Sequence, residues 1–318
     1  MVTIGGRTGR LRLLLAALVL LVVVAAPVVA SSGSGGSGPP GDAAATGAGW
    51  VPVPMPGEAR PPPGMEWLRP SAQGLAQAAV DAAESVPAGS TDLGVAVLDR
   101  ETGERAAGGQ ADEPFYTASL SKIVVAVDVL HRRRTEGLQV GSEDLELFRR
   151  ALGPSDDAAM NVLWGRFDGV GAADRVSGML DLEDTLPPED PSQWGEMRIS
   201  ANDLLTIWRY VLEEMPAPDR EFVVGAIGAA PDVARDGFDQ AFGLLAAEVD
   251  GPGAVGAVAK QGWMCCFSGV YYLHSAGAVG EDERFVVALL SRIPREPGWE
   301  AARSEMTSIA AAAVRPLV

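Results

Sequence analysis

The chain has 318 residues and a formal net charge of −17. That length suits one large domain or two small ones, and so acidic a balance disfavours a nucleic-acid role, because phosphate binding needs a basic face. The two cysteines, neighbours at Cys265 and Cys266, cannot supply a disulfide framework that holds a fold together.

Taken in order, the chain opens with Arg7, Arg10 and Arg12 before an uncharged apolar run over 13–29 that ends at the small residue Ala30. Residues 1–30 therefore read as a secretory signal cut after Ala30, or as an uncleaved anchor helix. No cysteine lies near that boundary, so no lipid anchor is expected there. Residues 31–64 are rich in Gly, Ser and Pro and read as a spacer, which leaves 65–318 as the folded domain, enough for one sizeable core.

Within it, 71–86 reads as a helix with Ser71 at its cap, and 93–100 as a strand turned by 101–103 into a shorter one. A helix then runs from the 117–122 stretch through the apolar residues 123–130 and stops near Gly137. The basic cluster 131–134 near its end favours the helix dipole. Residues 142–178 are helical in pieces, broken at Gly153-Pro154 and Gly169. Residues 183–196 form an irregular, acidic and Pro-rich loop, and 200–215 is an amphipathic helix with Asp203 three residues after a capping Ser200. The last third holds strand candidates at 254–260, 269–275 and 284–291 and a closing helix over 300–314. The expectation is an α/β (α+β) domain: one antiparallel sheet built from both chain ends, flanking helices, and an all-helical insertion between. On a strand, Cys265 and Cys266 would point to opposite faces, one thiol buried and one exposed, with a vicinal disulfide or a covalent partner outside the chain as the alternatives. Neither they nor His131 and His274 have metal-ligand spacing.

The chemistry concentrates at Ser119 and Lys122. Three residues apart at a helix start, they share a face, which holds an amine beside a hydroxyl. A serine hydroxyl attacks well only when a base takes its proton. Lysine serves where its pKa is lowered, and arginine stays charged. Of the 25 Lys and Arg residues only Lys122 and Lys260 are lysines. The bland reading of this motif is a capped helix with a solvated lysine.

Three signals stand in order: Ser119-x-x-Lys122, Ser155-Asp156-Asp157 and Lys260-Gln261-Gly262. In these the chain resembles the penicillin-recognising active-site-serine family, in particular class A β-lactamases and D-Ala-D-Ala peptidases, whose signature is S-x-x-K, S-D-N and K-T-G. The resemblance covers nearly all of 65–318. It implies Ser119 as nucleophile, Lys122 as its base or proton relay, Ser155 as a proton shuttle, and Lys260 as positive charge beside a substrate carboxylate. It also implies an oxyanion hole from the backbone N–H groups of Ser119 and Trp263, with Asp157, Gln261, Gly262 and Trp263 as substrate contacts.

Two departures bear on recognition and a third on deacylation. Asp157 stands where the family has Asn, and Gln261 where it has Thr or Ser. The family's deacylating Glu-x-x-Leu-Asn is absent, which leaves Glu183, Glu189 and Glu196 as nearby acids. Trp263-Met264 reads either as an apolar wall of the site or as core, and Trp194 as a loop anchor or a residue approaching the site. The resemblance implies an exported serine acyl-enzyme, free of cofactors, acting on a β-lactam or a peptidoglycan-like amide. Its contact with a membrane would run only through the N-terminal segment, and its oligomeric state is open. The rival expectation is an envelope binding or sensing domain that holds a ligand without cleaving it.

Overall fold

Strand residues alternate between two apolar cores, and that alternation sets the architecture. A computed structural model describes residues 74–87, 90–250, 256–296 and 298–318; the expected export segment and spacer, and the Ser71 cap, lie outside the described residues. In chain order the strands are β1 (Asp92–Asp99), β2 (Arg105–Ala107), β3 (Phe115–Tyr116), β4 (Arg198–Ile199), β5 (Ala257–Cys265), β6 (Val270–Val279) and β7 (Phe285–Pro294). The helices are α1 (Leu75–Glu84), α2 (Ser121–Thr135), α3 (Ser142–Leu152), α4 (Asp157–Arg166), α5 (Ala172–Leu180), α6 (Ala201–Arg209), α7 (Ala217–Gly228), α8 (Ala247–Asp250) and α9 (Trp299–Val314).

Five strands form one antiparallel sheet in the order β2-β1-β7-β6-β5, so both chain ends build it, as expected. On β1 and β7, Leu93, Val95, Val97, Val287 and Leu289 enter the core shared with α1 and α9. The intervening Ala96, Leu98, Val286, Ala288 and Leu290 enter the core shared with α2 and the helical middle. A strand covered on both faces has no polar side to show, hence the nearly unbroken apolar runs.

Every residue of α2 from Ser121 to Leu130 is buried. A helix apolar around its whole circumference has to run through a core rather than along it. Its one buried acid, Asp128, is held by both ends of the Arg175 guanidinium at 2.7 and 2.8 Å, which satisfies the charge it brings inside.

Several boundaries differ from the sequence expectation. The helix expected over 200–215 is α6 only as far as Arg209, and continues as a π-helical turn over Tyr210–Glu214. The strand expected at 254–260 is β5, displaced toward Cys265, and residues 251–255 lie outside the described residues. The β3–β4 pair, two residues a side, is too short to show a period, and α7 buries, besides Asp219, only a narrow apolar stripe of Val223, Ala226 and Ile227. Cys265 and Cys266 are both exposed and bonded to each other, not split between inside and outside. Strand alternation does not reach them, because β5 ends at Cys265 and Cys266 already belongs to the connection into the next turn.

His274 on β6 ties three strands together. Its Nδ1 accepts the backbone N–H of Ser291 at 3.1 Å, so Nε2 carries the proton and donates to the Tyr116 carbonyl at 2.7 Å. Burial pushes its pKa down to about 4, and a proton on Nδ1 would also break the bond to Ser291. The unfolded chain therefore takes up this proton first: stability is complete above the ordinary histidine pKa and falls as pH drops from there toward 4. Urea unfolding should show about 3 kcal/mol lost over that window from this group alone. A His274→Gln variant should lose that part of the pH dependence; an unchanged dependence would contradict the assignment.

Candidate active site

The serine of the first motif lies in a 3₁₀ turn, Ala118–Leu120, that feeds directly into α2. Ala118, immediately before it, has φ 45°, a left-handed conformation that costs a non-glycine residue about 1–3 kcal/mol and is retained only where the surroundings impose it. Ser155, with φ 57°, is the second such residue, at the turn into α4. Asp156 caps α4 through the Ala159 N–H at 3.1 Å and is gripped by Arg150 at 3.0 Å, which fixes where Ser155 and Asp157 point.

Lys122 Nζ lies 2.7 Å from Ser119 Oγ, 3.1 Å from Ser155 Oγ, 3.0 Å from the Ser155 carbonyl and 2.7 Å from Asp157 Oδ1. Lys260 Nζ approaches the same Ser155 Oγ at 2.8 Å and also meets the Gln261 carbonyl at 2.9 Å. One hydroxyl thus stands between two amines. A hydroxyl has one proton to give and two lone pairs, so it can accept from one amine and donate to the other when that one is neutral. Burial lowers the Lys122 pKa, and the Asp157 carboxylate opposes the shift without cancelling it. Burial, reinforced by the charge of Lys122, takes Lys260 well below the ordinary lysine value.

Strand alternation separates the remaining residues of the third motif. Lys260 faces Ser155, so Gln261 faces the other way. Gln261 was expected to touch substrate. Instead its side chain is buried behind β5, where it donates to the Phe242 carbonyl. Gly262 sits where a Cβ would lie 3.0 Å from the Thr117 carbonyl and 3.3 Å from Leu120 Cγ, so a side chain here would crowd the approach of β5 to the serine turn. Trp263 stacks on Phe238 with centroids 4.7 Å apart and also lines a cavity of about 420 Å³ in front of Ser119, so it serves as both wall and packing.

The 183–196 loop closes the opposite wall. Asp203 anchors it through the Asp184 N–H at 2.8 Å and the Thr185 hydroxyl at 2.7 Å, and Trp164 Nε1 holds the Pro191 carbonyl at 2.8 Å. Trp194 ends over the site, with Lys122 Nζ 4.8 Å from its ring and its own Nε1 donating to Asn161 Oδ1 at 2.7 Å. Asn161 escaped the sequence reading, although it follows Asp157 by one helical turn and so shares its face. Among the described residues, none of Glu183, Glu189 and Glu196 has a hydrogen bond or ion pair to Ser119 or Lys122. Glu189 instead pairs with Arg198 at 3.9 Å. The carboxylate that reaches Lys122 is Asp157.

No family model matches the chain. Its fold is that of the class A β-lactamases. A β-lactamase from Chitinophaga pinensis DSM 2588 superposes with TM-score 0.59 at 13% identity, covering 77% of this chain and 98% of that one. The class A β-lactamase from Mycobacterium abscessus superposes with TM-score 0.57 at 17% identity, over 76% and 99%. In sequence the chain is similar to "Putative lipoprotein LppW" of Mycobacterium tuberculosis (strain ATCC 25618 / H37Rv), 29% identical over 216 residues, 67% of each protein. The same description and identity hold for a Mycobacterium bovis protein.

Lys122 can accept a proton only when neutral, so any reaction it assists at Ser119 rises with pH through the Lys122 pKa. The Asp157 charge favours the protonated amine, and its removal works the other way. Asp157→Asn is expected to move the rising limb of Ser119 labelling by a neutral fluorophosphonate to lower pH. A limb that stays in place would show that the carboxylate does not act on this amine.

Proposed function

We propose that the chain is an exported serine hydrolase that forms an acyl-enzyme on Ser119, with a β-lactam or a peptide-like amide of the cell envelope as acyl donor. The observation that carries this reading is the 2.7 Å contact between Ser119 Oγ and a Lys122 amine that is only 1% exposed. Lys122 takes the hydroxyl proton as Oγ bonds to the carbonyl carbon. The carbonyl oxygen becomes an oxyanion held by the backbone N–H groups of Ser119 and Trp263, donors commonly worth a few kcal/mol each. β5 supports that role, since it is the sheet edge and pairs with β6 alone. As the carbon–nitrogen bond breaks, the proton passes from Lys122 through Ser155 to the leaving nitrogen. Lys260 tunes the pair from behind Ser155.

Water must then attack the ester, and the expected loop acids do not contact Ser119 or Lys122. Deacylation is accordingly slow, giving peptidase-like or trapped behaviour rather than rapid β-lactam hydrolysis. Residues 1–30 serve as signal or anchor, 31–64 as spacer and 65–318 as the hydrolase domain. The lipoprotein description of the mycobacterial relatives agrees with an envelope location, although the first cysteine here is Cys265.

The second reading, a binding or sensing domain that does not turn over, draws on the burial of Gln261 and on the ion pair that Asp157 makes with Lys122. Intact mass after incubation with a penicillin, and separately with a neutral fluorophosphonate, decides between them. The proposal expects a mass gain equal to the acyl or phosphonyl group, absent in Ser119→Ala. A folded protein that gains mass from neither reagent belongs to the second reading.

A further inference from the structure

Among the described residues, the cavity in front of Ser119 is lined without a cation, and one charged residue lines it, Asp157. Its side chain is 57% exposed. Oδ1 is engaged by Lys122, and among the described residues no group is bonded to Oδ2. Neither lysine presents its amine to a ligand. Lys122 is enclosed by Ser119, Ser155 and Asp157, and Lys260 by Ser155 and the Gln261 carbonyl. The position that would offer a hydroxyl to a carboxylate holds Gln261, turned to the far side of β5. On the rim, Trp263 Nε1 donates to Asp236 at 3.1 Å, which adds a second acid beside the wall. Trp194 lines the same space, and aromatic faces attract cations.

We propose that this site selects an acyl donor that carries an ammonium group, bound by Asp157 beside Trp194, and discriminates against donors that carry a carboxylate there. This rests on Ser119 being the nucleophile and narrows the substrate class of that same site. An acceptor-only carboxylate complements an N–H⁺ donor, whereas an anionic substituent would have to lose its water beside a like charge while both lysine amines are already engaged by protein groups.

The test uses three 4-nitrophenyl esters of phenylacetic acid whose ring carries aminomethyl, methyl or carboxymethyl at the para position. In each, the Ser119 Oγ–acyl bond forms, the acyl–oxygen bond breaks, and 4-nitrophenol leaves with the serine proton. The aminomethyl ester is expected to acylate about fivefold faster than the methyl ester, the carboxymethyl ester to be slowest, and the preference to shrink in high salt. Asp157→Asn changes the absolute rates through Lys122, so the readout is the ratio between esters, which should collapse to about even in that variant.

Labelling by a neutral fluorophosphonate separates two failures. If the label does not attach, the acyl-enzyme reading falls and this inference falls with it. If it attaches but the three esters react alike, or none reacts, or the carboxymethyl ester leads, or the preference survives Asp157→Asn, the inference alone is overturned.

Discussion

Two lysine amines buried around one serine hydroxyl are the constraint that the rest of the molecule serves. Lys122 and Lys260 are each about 1% exposed, in a chain whose other cations are all arginine. A buried ammonium is costly, and lysine, unlike arginine, can escape that cost by giving up its proton. The same burial that would destabilise a charged amine makes a neutral one available as a base. Asp157 works against this from the solvent side, so the protonation state of Lys122 is a balance between burial on one flank and a carboxylate on the other.

The architecture follows from holding that group still. α2 is buried on all sides from Ser121 to Leu130, so Lys122 and the serine turn that leads into it are held by a packed core. β5 brings Lys260 to Ser155 from the sheet, and the absent side chain at Gly262 permits the approach. α4, capped by Asp156 and clamped by Arg150, presents Ser155, Asp157 and Asn161 from the helical side. The loop fastened by Asp203 and Trp164 then lowers Trp194 over the amine. Sheet, central helix, inserted helices and loop each contribute one wall.

Much of this was legible in the amino-acid sequence. The split sheet and the helical insertion followed from strand runs at both ends and helix signals between them, since alternation and helical period are local properties. The proximity of Ser119 and Lys122 followed from their spacing. What sequence could not carry was direction across the chain. Gln261 lies next to Lys260, yet alternation sends its amide to Phe242, and nothing nearby in sequence announces that partner. Asp157 read as a substituted substrate contact, whereas its ion pair with Lys122 depends on the fold bringing α4 against α2. Trp194 could anchor a loop or approach a site, and 194 and 122 are joined only by tertiary packing. The two cysteines show the opposite error, a strand rule carried one residue past the end of the strand.

Both amines give up their protons more easily than ordinary lysines. Because the chain has only two lysines, ¹⁵N-lysine labelling yields two side-chain signals to titrate by NMR without interference. Both midpoints are expected below the ordinary lysine value of about 10.4, with Lys260 the lower. Two midpoints at the ordinary value would contradict this, because Lys122 would then stay charged at neutral pH and could not take a proton from Ser119.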